Sequence, residues 1–109
     1  MQFSAKRDLL LNSLSLAQGI IEKKNTLEIL SNILIQIKDG KLLIVATDLD
    51  IVFTDEIEGI NVKQEGSTTT SATILYDILK KTSANTDISF DLKSENKLNV
   101  KTDSSDFNL

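Results

Sequence analysis

The chain has 109 residues, and its 12 Lys and Arg against 16 Asp and Glu give a formal net charge of −4. It contains neither Cys nor His. Their absence from the sequence excludes disulfides, thiolate nucleophiles and the usual zinc sites, and it removes the commonest general base at neutral pH. We therefore expect one domain with its own core, no catalytic activity, no cofactor and no metal.

The negative net charge argues against a protein that binds nucleic acid over its whole surface. A local basic patch is still compatible with DNA contact, because charges beyond a Debye length of about 8 to 10 Å are screened in physiological salt. The chain shows no signal-peptide pattern, and no apolar run approaches the roughly 18 residues of a membrane span. We expect a cytoplasmic protein without membrane contact.

The chain opens with a predicted strand, because Met1 to Ala5 alternates apolar and polar residues, and a helical period begins near Lys6. The apolar stripe of this helix consists of Leu10, Leu14, Ala17 and Ile21, widened by Leu9, Leu16 and Ile20. The opposite face carries the short side chains of Asp8, Asn12, Ser15 and Gly19. That pattern is typical of an ordinary solvated face, and it would also allow another molecule to approach closely.

Two apolar runs, Ile33 to Ile37 and Leu42 to Ala46, flank Asp39-Gly40. Asp-Gly tolerates the positive φ of a type I′ turn, so the segment predicts a tight antiparallel hairpin. In the first strand Ile33, Ile35 and Ile37 share one face and Leu34 lies on the other, which indicates a strand covered on one face and partly shielded on the second.

The hairpin is followed by Thr47-Asp48-Leu49-Asp50. We interpret this run as a turn in which Asp side chains accept hydrogen bonds from nearby backbone N–H groups. The alternative is an acidic metal site, for which the sequence offers no third ligand at a helpful spacing.

A second unit follows a further strand, Ile51 to Glu58, and a polar connection, Gly59 to Gly66. It comprises a Thr-rich strand, the candidate N-cap Ser71, a helix over Ala72 to Lys81, and alternating strands that include Ile88, Phe90, Leu92, Leu98, Val100, Phe107 and Leu109. The order is two β-α-β-β-β units. We predict an α+β fold with the two helices side by side on one face of a shared, curved antiparallel sheet.

The segment from Thr26 to Ile35, the Asp-Gly turn and the run from Ala46 to Ile51 resemble the N-terminal domain of the bacterial DNA polymerase III β subunit, the sliding clamp family. The family pattern, approximately T-L-P-I-L-x-N-[IL]-L, a D-G hairpin and [GA]-T-D-L-[ED], is met except that Glu28 replaces the proline. The resemblance extends over residues 1–109. It implies the first of three clamp domains, short of its last strand, with the second and third domains absent.

The resemblance implies a non-catalytic ring in which two subunits close head to tail around duplex DNA and tether the replicative polymerase. Its partners would be double-stranded DNA without sequence preference, a second copy of the subunit, DNA polymerase III and the clamp loader. The family binds polymerase and loader peptides through its second and third domains, so we expect this domain alone neither to close a ring nor to bind those peptides.

Two groups of site residues are carried over from the family. For DNA contact they are Lys24 and, secondarily, Lys23, in an expected loop from Glu22 to Asn25, together with Lys80 and Arg7 at the two helices. For the subunit interface they are Phe107, Leu109 and Ile74. Thr73 departs from the family, which frequently has a basic residue there. Without the resemblance, Arg7 is a solvated helix-terminal charge and the interface residues are ordinary edge and core residues.

A function from a different class is compatible with the same pattern. The chain would then be a free-standing α+β interaction module that uses an exposed strand edge and has no role on DNA. Enzymatic activity is the third hypothesis for this chain, because the acidic residues of the sequence are scattered and no base, nucleophile or phosphate-binding glycine loop accompanies them.

Overall fold

The computed structural model of the protein describes residues 1–24, 32–47, 52–94 and 97–109, with the backbone alone for residues 18–24. The described residues form these elements: β1 (Gln2–Lys6), α1 (Arg7–Lys24), β2 (Asn32–Lys38), β3 (Lys41–Thr47), β4 (Val52–Ile57), β5 (Asn61–Gln64), β6 (Gly66–Ser71), α2 (Ala72–Lys81), β7 (Asp87–Ser94), β8 (Lys97–Lys101) and β9 (Asp106–Asn108).

The strands form two antiparallel sheets, ordered β5-β1-β7-β8-β9 and β4-β3-β2-β6. Each unit contributes its opening strand to the sheet of the other, because β1 pairs with β7 while β6 pairs with β2. The predicted α+β class and the two β-α-β-β-β units are confirmed. The strands divide between two sheets rather than one, since alternation along a strand reports which face is buried and not which strand is its neighbour.

The helices pack side by side, as expected, and α1 lies against β1, β3 and β4 while α2 lies against β2 and β6. The core contains the inward-facing residues of both sheets and the inner stripe of each helix. On β1 and β7 the rings of Phe3 and Phe90 stack at 4.6 Å between centroids. This contact joins the two units at the centre of the five-stranded sheet.

The hairpin prediction is confirmed. Asp39 and Gly40 both have positive φ, 55° and 75°, which is the backbone of a type I′ turn. Ile33, Ile35 and Ile37 are buried and Leu34 is half-buried, so β2 is covered on one face and partly shielded on the other. Ser71 caps α2 as predicted, because its side-chain oxygen accepts a hydrogen bond from the Ile74 N–H.

One strand was missed. The interval from Gly59 to Gly66, expected to be a polar connection, contains β5, which pairs with β1 and places Val62 opposite Phe3. Its single apolar residue gives too little alternation to predict a strand, and the pairing depends on β1, which is distant in sequence. The turn expected at Thr47 to Asp50 and the motif from Thr26 to Ser31 lie mostly outside the described residues.

The first helix differs from expectation in two ways. It continues through Lys24, so Lys23 and Lys24 belong to its last turn and not to a loop. Its stripe is also narrower than expected, because Leu10, Leu14 and Ala17 are buried whereas Leu9 and Leu16 are exposed. Leu9 and Leu16 lie seven residues apart, which is two helical turns, and that shared side of the helix is not covered by either sheet.

A buried hydroxyl in α1 generates a stability prediction. Ser13 is 1 % exposed, and its Oγ has no hydrogen-bond partner in the described structure. An unsatisfied buried polar group costs about 1 to 3 kcal/mol. We expect Ser13→Ala to raise the free energy of unfolding by about 1 kcal/mol, measured as a higher melting temperature.

The matched control is Ser15→Ala, at an exposed position of the same helix. It gains the same helix propensity, roughly 0.5 kcal/mol, without removing a buried hydroxyl. Equal shifts in the two variants would show that the Ser13 hydroxyl carries no burial penalty.

Candidate subunit and nucleic-acid interfaces

The three residues predicted at the subunit interface line one open groove between α2 and β9. Ile74 from α2, Phe107 from β9 and Leu109, which follows β9, border a cavity of about 630 Å³. Ile74 is 52 % exposed and Phe107 is 36 % exposed, so neither belongs to the core. The structure therefore places the three residues together on an apolar, accessible surface.

Other lining residues were not singled out from the sequence. They are Asp77, Ile78, Lys81, Thr82, Ser83 and the segment from Thr102 to Ser105, with Asn108. Ile78 had a sequence signal, since it lies one turn after Ile74 on the same helix. The segment Thr102–Ser105 had none, because its position depends on a turn closed by the hydrogen bond from the Thr102 N–H to the Ser105 carbonyl, 2.9 Å.

One edge of the five-stranded sheet is formed by β9. Among the described strands β9 pairs only with β8. The Leu109 N–H donates to the Leu98 carbonyl at 2.8 Å, and the reciprocal bond is 3.4 Å. In an antiparallel ladder such pairs alternate, so the N–H and C=O groups of Asp106 and Asn108 point away from β8. The edge thus offers backbone donors and acceptors next to the apolar groove.

The predicted DNA contacts do not form one described cluster. Lys80 is exposed near the end of α2, and its Nζ lies 5.0 Å from the centroid of the Tyr76 ring. Lys81 follows it in the same turn. Lys23 and Lys24 end α1, and their side chains fall outside the described part of the structure. The two helices that carry these lysines pack against each other.

Arg7 has a structural contact that the sequence did not predict. Its Nε donates to the Leu79 carbonyl at 2.9 Å, and its Nη1 pairs with Asp8 Oδ1 at 3.0 Å. The Arg7 side chain is only 17 % exposed. The guanidinium thus satisfies a carbonyl in the last turn of α2 and ties the start of one helix to the end of the other.

Several other lysines of the described residues pair with carboxylates on the sheets. Lys41 binds Glu56 and Glu58 at 3.1 and 3.3 Å. Hydrogen bonds to Glu56 and then Glu58 raise the pKa of Lys41 above its usual value. On the other sheet, the hydrogen bond from Lys93 lowers the pKa of Asp91. These charges are partly neutralised where they lie, in contrast to the exposed Lys80.

No group of three or more metal-ligating side chains occurs among the described residues. Asp48 and Asp50, the acidic pair considered as an alternative metal site, lie outside them. No described helix is long and apolar enough to cross a membrane.

The sequence profile of the DNA polymerase III beta subunit N-terminal domain matches residues 1–109. The chain belongs to this family. Beta sliding clamps of Pseudomonas putida and Escherichia coli K12 are 34 % and 31 % identical over the whole chain. The solved structure of Caulobacter crescentus pol III beta superposes with a TM-score of 0.89 at 34 % identity and covers all of this chain. The chain spans 29 to 30 % of the length of these relatives.

The contact of Arg7 with the second helix of this beta subunit domain generates a prediction. Hydrogen bonds from charged groups contribute about 1.5 to 3 kcal/mol. We expect Arg7→Ala to lower the free energy of unfolding by about 1.5 kcal/mol, because it leaves the Leu79 carbonyl with one donor fewer, and to lower the melting temperature.

Lys6→Ala serves as the control. Lys6 is a neighbouring cation that pairs with Asp87, and both of these side chains are exposed. Exposed ion pairs contribute about 0 to 1 kcal/mol. If Arg7→Ala and Lys6→Ala had the same small effect, the link between the helices through Arg7 would not contribute to stability.

Proposed function

We propose that this protein is a non-catalytic processivity factor: a ring-shaped sliding clamp that encircles duplex DNA and tethers the replicative polymerase. The observation that carries the proposal is the family match over residues 1–109, together with an exposed apolar groove and strand edge at β9. Duplex DNA, a second copy of the subunit, DNA polymerase III and the clamp loader are the proposed partners. Because chromosomal DNA is the proposed track, we place the protein in the cytoplasm.

We propose that β9 and the groove beside it form the head-to-tail junction between two subunits. An unpaired edge can be extended by a strand of another chain, with the backbone bonds supplying affinity. Ile74, Phe107 and Leu109 would then be covered by apolar side chains of the partner, at the desolvated centre of the junction. Continuation of the sheet across the junction would make a rigid wall.

For DNA we propose contacts from Lys24, Lys23 and Lys80. Arg7 would contribute to the positive electrostatic potential rather than by a direct bond, because its side chain is only 17 % exposed and is held by the Leu79 carbonyl and Asp8. Few contacts suffice, because a closed ring stays on DNA by enclosure. Strong local phosphate binding would slow sliding, so a net charge of −4 is compatible with the role.

A free-standing interaction module is the second candidate, and the open edge of β9 is the feature that favours it. Such a module would add a strand of an unrelated protein at this edge without enclosing DNA. The two candidates differ in one property. Only a clamp is retained on circular DNA and released when the circle is cut.

The junction is tested in the full-length protein by Phe107→Asp. A charge placed in a desolvated junction without a partner costs several kcal/mol. We therefore expect the dissociation constant of the dimer, measured by analytical ultracentrifugation, to rise at least a hundredfold.

The control is Val52→Asp, which changes an even more exposed apolar residue, 68 %, on the edge strand of the other sheet. It should leave the dimer intact. A dimer that tolerates Phe107→Asp as well as Val52→Asp would place the junction elsewhere.

The DNA contacts are tested by Lys24→Glu in the full-length protein, with retention on nicked circular DNA as the measurement. Reversing one charge near the duplex should shorten retention severalfold and make its dependence on salt shallower, because one phosphate contact is lost, while dimerisation stays unchanged.

Lys63→Glu is the matched charge reversal on the sheet surface, where Lys63 lies exposed on β5. It should not shorten retention. Equal retention of the Lys24 and Lys63 variants would remove Lys24 from the DNA-facing surface.

A further inference from the structure

The edge strand β9 has a low intrinsic propensity to form a strand. It has three residues, two of which, Asp106 and Asn108, are of types depleted in strands. All three of its residues are exposed, and β8 is its one neighbour among the described strands. A strand of this kind opens locally at small free-energy cost unless side chains hold it.

One buried side chain holds it. Asn99 on β8 is 6 % exposed, although it lies between Leu98 and Val100 and so points to the face opposite the core. Its Nδ2 contacts Asp106 Oδ1 at 2.5 Å, Asn108 Oδ1 at 3.0 Å and the Phe107 carbonyl at 3.3 Å. All three acceptors belong to β9. The amide therefore contacts every residue of the strand.

The geometry relates these contacts to the groove on the other face. Side chains alternate along a strand, so Asp106 and Asn108 lie on the same face of the sheet as Asn99. Phe107 lies on the other face, beside its cross-strand partner, the core residue Val100. Phe107 lines the groove with Ile74. By fixing the residues on either side of Phe107, the Asn99 amide fixes the backbone that directs the Phe107 ring.

We propose that Asn99 is the positioning residue of the docking edge: its buried amide keeps β9 in place before a second subunit arrives. This inference rests on the proposed function, because the occupant of the edge is the partner subunit. An ordered edge lowers the entropy cost of association, whereas a frayed one would have to be ordered at each closure. Asn99 itself lies on the far face and does not line the groove.

The test uses the full-length protein and two variants, Asn99→Ala and Asn99→Asp. The first removes the donors, and the second also sets a carboxylate against Asp106. We expect both to raise amide hydrogen exchange at Leu109 about tenfold or more, with the larger effect for Asn99→Asp. Exchange in the β2–β3 hairpin should stay unchanged. Subunit dissociation should accelerate in parallel.

A swapped pair separates positioning from general damage. Asn99→Asp combined with Asp106→Asn reverses the hydrogen bond, so that the amide is donated from β9 to a carboxylate on β8. We expect the pair to recover most of the exchange protection at Leu109 and most of the dimer lifetime. Asn61→Ala, which removes an exposed amide from the strand at the other edge of the same sheet, should change neither.

Unchanged exchange at Leu109 in Asn99→Asp, or a swapped pair no better than the single variant, would overturn the positioning role. These outcomes are separable from failure of the junction. If Phe107→Asp breaks the dimer while Asn99→Asp leaves Leu109 protected, only the role of Asn99 fails. If Phe107→Asp leaves the dimer intact, the junction is wrong, and dimer lifetime ceases to be informative for Asn99.

Discussion

The exchange of opening strands between the two units is the constraint on which the rest of the structure depends. Neither sheet is complete within one unit, because β1 lies beside β7 and β6 lies beside β2. The stacked rings of Phe3 and Phe90 and the bond from Arg7 to the Leu79 carbonyl join the same two units. At Gly66 the chain passes so close to Met1 that a Cβ would approach the Met1 Cβ to 3.0 Å. The helices are therefore held side by side by long-range pairing.

The strands of this domain differ in how many neighbours they have and in how deeply they are buried. The strands at its centre have neighbours on both sides and apolar residues facing the core, whereas β9 has one described neighbour and exposed side chains. The strand proposed to meet a second subunit is thus also an edge strand whose three residues are all exposed. Asn99 reduces this conflict with polar contacts, since an apolar side chain in its place would leave the acceptors of Asp106 and Asn108 to water.

Features set by local chemistry could be predicted from the sequence. Asp39-Gly40 fixes its own turn, and Ser71 caps its own helix. Features set by distant partners could not. The strand β5 exists because β1 offers an edge to it, and the exposure of Leu16 depends on where the sheets end rather than on helical period. Lys24 is expected in a loop because the polar run from Glu22 to Asn25 lies between the helical pattern and the next apolar strand, whereas the helix in fact includes both lysines.

The site shows the same division. Periodicity put Ile74 and Phe107 on apolar faces, but only the resemblance to a family suggested that they share a surface, and only the fold brings them to one groove. An exposed apolar edge carries a hazard, because it accepts any strand. Here a carboxylate at Asp106 and a polar amide at Asn108 flank the single aromatic residue of β9. Charge on an edge strand discourages indiscriminate pairing, so a chosen partner must offer both backbone complementarity and a hydrophobic surface for Phe107.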